Sequence, residues 1–136
     1  MKKLLLTFGI FLLISSTNLL TAQNAKLTVK YSFKGLVEGY DHTSKTMVFL
    51  NGEELCTSEE HKESNPMTFT CEVAPGTYTV RIVNYAYYEN VWEEHTIANS
   101  FSIDAVYEKE MAFKKKKKYT IGLLFDLDNG TSETKK

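Results

Sequence analysis

The strongest constraint on this chain is a recurring period of two. From Leu27, apolar Leu27, Val29, Tyr31 and Phe33 alternate with Thr28, Lys30 and Ser32, which sets one face of an extended strand in a core and the other in water. The alternation returns in Met67-Thr68-Phe69-Thr70-Cys71-Glu72-Val73 and in Thr77 to Val83, with Tyr78, Val80 and Ile82 inward. It returns again through Tyr119, Ile121, Leu123, Phe125 and Leu127. Weaker strands are expected at Met47 to Leu50, Glu53 to Thr57, Thr96 to Ile103 and Ala105 to Phe113. No stretch carries an amphipathic helical period.

The connectors agree with this reading. Asn51-Gly52 suits a two-residue type I′ hairpin loop, where both positions need positive φ; that register sets Val48 opposite Leu55 and Met47 opposite Cys56. Pro75-Gly76 suits the centre of a type II turn. Short strands with near-regular turn signals predict an all-β chain: a small single-domain antiparallel β-sandwich of about 7–8 strands, with a small barrel as the alternative. Residues 23–127 would form the sandwich and 128–136 a polar C-terminal tail.

The N-terminus predicts export. Met1-Lys2-Lys3 precedes an apolar run from Leu4 to Ile14, then Ser15-Ser16-Thr17-Asn18 and a small residue at Ala22. This is a signal-peptide pattern over residues 1–22, too short to span a bilayer, which needs about 20 apolar residues. The expected location is secreted or periplasmic, within the cell envelope, with no membrane span after cleavage. Removing residues 1–22 takes away Lys2 and Lys3 and leaves 14 Lys+Arg against 17 Asp+Glu, a balance of −3. With that balance and a single arginine, Arg81, nucleic acid is excluded as a partner, because its recognition depends on clustered cations.

Cys56 and Cys71 lie 15 positions apart. In an oxidising compartment they predict a disulfide, against the alternative of two buried thiols. No CxxC spacing supports a redox site or a zinc knuckle.

Val48-Phe49-Leu50-Asn51-Gly52-Glu53-Glu54-Leu55, followed by Val73-Ala74-Pro75-Gly76-Thr77-Tyr78-Thr79-Val80-Arg81-Ile82, resembles the core of PEGA-type and carboxypeptidase-regulatory-like modules. The resemblance covers Met47 to Val83 and lacks the Pro-Glu-Gly-Ala signature. It implies an immunoglobulin- or transthyretin-like sandwich serving as an envelope-associated accessory module, with no catalytic residues to carry over.

Three segments are candidates for function. Tyr85 to His95 concentrates Tyr85, Tyr87, Tyr88 and Trp92 among polar groups, suiting a glycan- or protein-binding loop, because such rings give large contact area at little entropy cost. The alternative is a plug closing the sandwich end. Lys114, Lys115, Lys116, Lys117 and Lys118 form a basic patch that either contacts anionic polymers or lipid head groups or is a solvated loop blunting a sheet edge. Asp126 to Glu133 has some of the oxygen spacing of a calcium loop without its distal glutamate; a strand end running into the tail explains it more simply. His42, His61 and His95 read as separate surface-loop residues, so no metal site or cofactor is expected. No nucleophile elbow or phosphate loop occurs, and adjacent Asp41-His42-Thr43-Ser44 cannot by spacing orient a triad.

The leading expectation is therefore an exported, non-enzymatic interaction or structural module whose partner is an envelope protein. The alternative is a carbohydrate-binding module with its rings coplanar on an open surface. An enzyme would instead require a concave pocket with convergent titratable groups.

Overall fold

A computed structural model of the chain describes residues 23–135; residues 1–22, read above as a signal peptide, lie outside them. Ten strands follow in order: β1 (Ala25–Lys34), β2 (Thr43–Leu50), β3 (Glu53–Thr57), β4 (His61–Lys62), β5 (Met67–Val73), β6 (Gly76–Tyr88), β7 (Val91–Glu94), β8 (Val106–Phe113), β9 (Lys118–Asp126) and β10 (Gly130–Glu133). They form a two-sheet sandwich. One sheet has the order β10-β9-β1-β5; in the other, β3 and β4 share one side of β2, β6 lies on its other side, and β7 and β8 share the far side of β6.

The alternating pattern decides which faces are buried. Ala25, Leu27, Val29 and Tyr31 of β1 and Ile121, Leu123 and Phe125 of β9 meet Val48, Val80 and Ile82 from the opposite sheet in one core. β1 and β9 pair in parallel, Val29 beside Ile121 and Tyr31 beside Leu123, whereas every other pairing is antiparallel. The exception follows from the chain path: β8 ends in one sheet, and the lysine run carries the chain to the other, so β9 enters from the same end as β1. The Cys56–Cys71 disulfide is formed and ties β3 to β5, an edge strand of each sheet.

Several local expectations are corrected. Asn51 and Gly52 do adopt positive φ, 51° and 84°, but a bulge after Val48 makes Leu55 the extra residue, so Val48 faces Cys56 and Met47 faces Thr57. Pro75-Gly76 links the two sheets, and Gly76 sits at φ 152°, far from the roughly +80° of a type II turn. Thr96 to Ile103 is not a strand. It belongs to a loop pinched shut by Ala105 N–H donating to the His95 carbonyl at 2.8 Å, with a 3-10 turn at Ile97–Asn99 held by Asp104 Oδ1 accepting from Ile97 N–H at 2.8 Å. Residues 130–133, read as part of a polar tail, pair with β9 as β10.

Candidate functional site

The strand directions define two ends. At the proximal end the described chain begins, with Lys116 N–H donating to the Gln23 carbonyl at 3.3 Å and Lys26 N–H to the Lys117 carbonyl at 2.9 Å. At the distal end lie the β1–β2 loop, the β4–β5 loop, the β6–β7 tip, the 95–105 loop and the β9–β10 turn. The expected basic patch and the aromatic segment thus stand at opposite ends.

The aromatic segment is a hairpin rather than a loop. Glu89 and Asn90 form its turn, at φ 50° and 65°, and the register sets Tyr87 opposite Trp92 and Tyr85 opposite Glu94. These side chains share the outer face: the Tyr85 hydroxyl donates to Glu94 Oε1 at 3.3 Å, and Glu94 also pairs with Arg81 at 3.4 Å. Burial, reinforced by Glu94, raises the Tyr85 phenol above its ordinary pKa. The rings of Tyr87 and Trp92 lie 5.2 Å apart but tilted by 51°, and Lys45 Nζ sits 4.3 Å from the Trp92 centroid. Lys45 thus occupies one indole face, and no flat platform forms. Tyr88, next along β6, points to the opposite side, edge-on to His42. The four rings therefore do not act on one surface.

Tyr88 instead lines a pocket of about 480 Å³ at the distal end, together with Val37, Tyr40, His42, Phe101 and Asp128. Glu63 and His95, both almost fully buried, form part of its wall. Local structure brings these groups together. Glu63 N–H donates to the His42 carbonyl at 3.0 Å as β4 runs beside the start of β2, and the Asp41 carboxylate clamps the next residue by accepting from Ser64 N–H at 3.0 Å and Ser64 Oγ–H at 2.6 Å. The Ser64 hydroxyl holds the Asp41 carboxyl below its ordinary pKa. On the other side, His95 N–H donates to the Asn84 carbonyl at 2.8 Å, and its ring stacks on Phe101 at 4.4 Å.

Glu63 Oε1 lies 3.1 Å from His95 Nδ1, and Glu63 Oε2 lies 3.6 Å from His42 Nδ1. With Glu63 as a carboxylate, the shorter contact is donated by His95 Nδ1–H, so in the neutral ring Nε2 keeps a lone pair. His95 Nε2, Glu63 Oε2 and His42 Nδ1 are all buried without a hydrogen-bond partner, and the last two face each other at 3.6 Å. Glu63 is thus bracketed by two histidines, and His95 Nε2 is left as a buried acceptor without a partner, which is costly. No group of three or more ligating side chains suited to a metal ion occurs among the described residues.

The reading of all three histidines as surface-loop residues is thus corrected. His95 is buried, His42 half-buried, and the half-buried His61 meets the hydroxyl of core Tyr31. His42, Glu63 and His95 are 21 and 32 positions apart, and no spacing rule links them; β4, two residues long, is what joins Glu63 to His42. The concave pocket and convergent titratable groups set as the mark of an enzyme are present. Among the described residues, however, no hydroxyl or thiol hydrogen-bonds His95 Nε2.

Asp126 spends its carboxylate on the β9–β10 turn. It accepts from Asp128 N–H at 3.0 Å and Asn129 Nδ2–H at 3.0 Å, and these contacts, led by Asn129, hold its pKa below the ordinary value. The calcium-like spacing is therefore the chemistry of a turn.

Two further features mark the distal end. Among the described residues, the exposed large apolar side chains are Val37, Tyr40, Tyr87, Tyr88, Val91 and Ile97, and all six lie there. The distal loops (35–42, 63–66, 89–90, 95–104 and 127–129) hold Glu38, Asp41, Glu63, Glu89, Asp104 and Asp128 without a lysine or arginine. The proximal connections (51–52, 74–75 and 114–117) hold Lys114 to Lys117 and no carboxylate.

No protein-family model matches the chain, so the likeness of Met47–Val83 to PEGA-type modules stands as a local likeness only, and no curated protein matches it either. Among solved structures it is similar to a candidate cell adhesion protein from Bacteroides ovatus, with 11% identity and a TM-score of 0.44, over 84% of this chain and 44% of that one. It is also similar to Serratia marcescens Lip, a membrane-bound component of the Type VI secretion system, with 9% identity and a TM-score of 0.39, over 84% of this chain and 98% of that one. The chain spans less than half the length of the Bacteroides protein. Likenesses this distant carry no functional reading, and the sandwich assignment rests on the two sheets themselves. The disulfide fits an extracellular or envelope location, and no helix among the described residues is long and apolar enough to cross a membrane.

Proposed function

We propose that the protein is an exported, non-enzymatic interaction module of the cell envelope that meets a protein partner with its distal end. The observation that carries this reading is the gathering there of all six exposed large apolar side chains. Exposed apolar groups gathered at one end of a domain mark a contact region, whereas scattered ones do not. Three of the six, Val37, Tyr40 and Tyr88, line the pocket at that end, which suits a side chain anchored from the partner.

Binding is favoured over catalysis because His95, although oriented by Glu63, has no nucleophile hydrogen-bonded to it among the described residues. Protein is favoured over glycan because Tyr87 and Trp92 are tilted and Lys45 takes one face of the indole. The test is photo-crosslinking in the producing cell, with a photoreactive residue placed in turn at Val37, Tyr88, Thr70 and Lys115. The reading expects one discrete adduct from Val37 and Tyr88 and none from the other two. Equal adducts from all four positions, or adducts from Thr70 or Lys115 alone, would overturn it.

A further inference from the structure

We propose that the outer face of the β10-β9-β1-β5 sheet, with the lysine connection at its proximal end, is a docking surface for an anionic lipid bilayer. It is separate from the distal contact end and does not depend on it.

Alternation along β1 sends Lys26, Lys30 and Lys34 outward, away from the core side chains between them. The parallel register sets Lys118 beside Lys26, and the 114–117 connection continues the row. That connection is a fixed turn, in which Lys117 N–H donates to the Lys114 carbonyl at 3.2 Å and Lys116 N–H to the Gln23 carbonyl at 3.3 Å. With Lys135, which shares a recess with Lys30, nine of the 14 cations after residue 22 lie on this face and its end. The carboxylates there are three of 17, Glu72, Asp126 and Glu133, so a domain whose balance is −3 turns a surface of net +6 to one side. Asp126 pairs with Lys34 at 3.6 Å, and Glu133 with Lys109 at 3.8 Å and with the Tyr107 hydroxyl. Glu72 stands opposite Lys26, yet neither Lys26, Lys30 nor any lysine from 114 to 118 forms an ion pair among the described residues. Like charges side by side on neighbouring strands, as Lys26 and Lys118 are, cost stability. An external anionic surface offsets that repulsion.

Shape selects a bilayer over a polymer. Lys26, Lys30 and Lys34 spread over about 26 Å of strand, at roughly 3.3 Å per residue, across a sheet face rather than along a groove. The residues between them, Thr28, Thr68, Thr70 and Thr120, are short and polar, and no aromatic ring on this face offers a stack for a sugar. Contact is therefore made at head-group level. Beside Gly122 a recess of about 510 Å³, lined by Lys30, Thr120, Thr134 and Lys135, gathers the ammonium and hydroxyl donors that a phosphate head group takes. The chain enters the domain at Gln23, directly after the apolar segment read above as a signal peptide, and the Gln23 carbonyl is bonded to Lys116. Export thus leaves the lysine connection nearest the bilayer.

The test is cosedimentation of the purified protein with vesicles of phosphatidylcholine alone and of phosphatidylcholine mixed with phosphatidylglycerol. Preferential binding to the mixed vesicles is expected, weakening as salt screens it. Replacing Lys26, Lys30 and Lys118 together by glutamine should lower that binding about a hundredfold, at about fivefold for each lysine taken from an anionic surface. Lys115→Gln, Lys116→Gln and Lys117→Gln, in a solvated turn, should act likewise and keep the test valid if the sheet variant fails to fold. The control triple Lys45→Gln, Lys62→Gln and Lys109→Gln changes net charge equally, away from this face, and should leave binding within about twofold. The contact is made by side chains on an intact bilayer, so lipid dispersed in detergent leaves the backbone amides of 113–118 exchanging as before.

Equal binding to both kinds of vesicle, or an equal loss from the control triple, would overturn the proposal. So would soluble polyphosphate bound through Lys26, Lys30 and Lys118 while the mixed vesicles are not, which would assign the face to a polymer. A bilayer yields no discrete protein adduct at Thr70 or Lys115, and crosslinking from Val37 and Tyr88 should be unchanged in the sheet variant. Failure of either reading therefore leaves the other standing.

Discussion

Replacing Cys56 and Cys71 together by alanine should cost this domain about 3–4 kcal/mol. The bridge spans 15 positions, and in the chain-entropy account closing such a loop restricts the unfolded ensemble by about 3 kcal/mol. Cys71 is buried beside Leu27 of β1, and the small void left by its sulfur adds up to ~1 kcal/mol. Residues 23–135 unfold with an entropy near 2.1 cal/mol/K per residue, or roughly 0.24 kcal/mol/K in total, so the melting midpoint should fall by about 12–17 °C. Urea unfolding followed by Trp92 fluorescence and far-ultraviolet circular dichroism measures this directly, and the unaltered protein in excess reductant should approach the double variant. If the double variant lies within ~1 kcal/mol of the oxidised protein, β3 and β5 are held together by packing alone, and the bridge is not the staple that its position between the sheets indicates.

Gly35 adopts φ +83°, and a side chain there would meet Asp128 Oδ2 at 3.0 Å, so Gly35→Ala should destabilise by about 1–2 kcal/mol; a melting temperature equal to that of the unaltered protein contradicts this. Asp41→Ala removes both bonds to Ser64 and should cost about 1 kcal/mol at neutral pH. Because the folded pKa of Asp41 is lowered, its contribution is present above the ordinary carboxylate value of about 3.9 and is lost as pH falls through the folded value. The gap in melting temperature between variant and parent should therefore close in acid, and a gap independent of pH refutes the assignment. Burial, aided by the bond to Glu133, pushes the Tyr107 phenol up to about 12, so its stabilising contribution is present below the ordinary tyrosine value of about 10 and disappears as pH rises through 12. Glu133→Gln should bring one tyrosine back toward ordinary titration in an ultraviolet absorbance experiment; an unchanged titration curve counts against the pair.

The sandwich was legible wherever one face of a strand meets the core over several residues. β1, β5, β6 and β9 appear in sequence as alternations because burial demands them. What was not legible depends on tertiary placement. The bulge at Leu55 is invisible in a hairpin that otherwise has ideal turn residues, and it slides every pair beyond it by one. Thr96 to Ile103 mixes apolar and polar residues as a strand does, yet the bond from Ala105 to His95 closes it into a loop. β4 and β10 are too short and too polar to show a period. The pocket was hidden for the same reason: Glu63 stands in the polar run from Ser58 to Pro66, and nothing local distinguishes it from the exposed Glu59 and Glu60. Of the four singled-out rings, Tyr88 alone reaches the pocket, because alternation along β6 sends Tyr85 and Tyr87 to the outer face.

Hydrogen–deuterium exchange of the purified protein, with and without a solubilised envelope fraction from the producing cell, tests the central claim most directly. The account predicts slowed exchange confined to residues 35–42, 88–91 and 95–104, with 51–57 and 113–118 unchanged. Protection centred on the lysine connection at 113–118, with the distal loops unaffected, would contradict it.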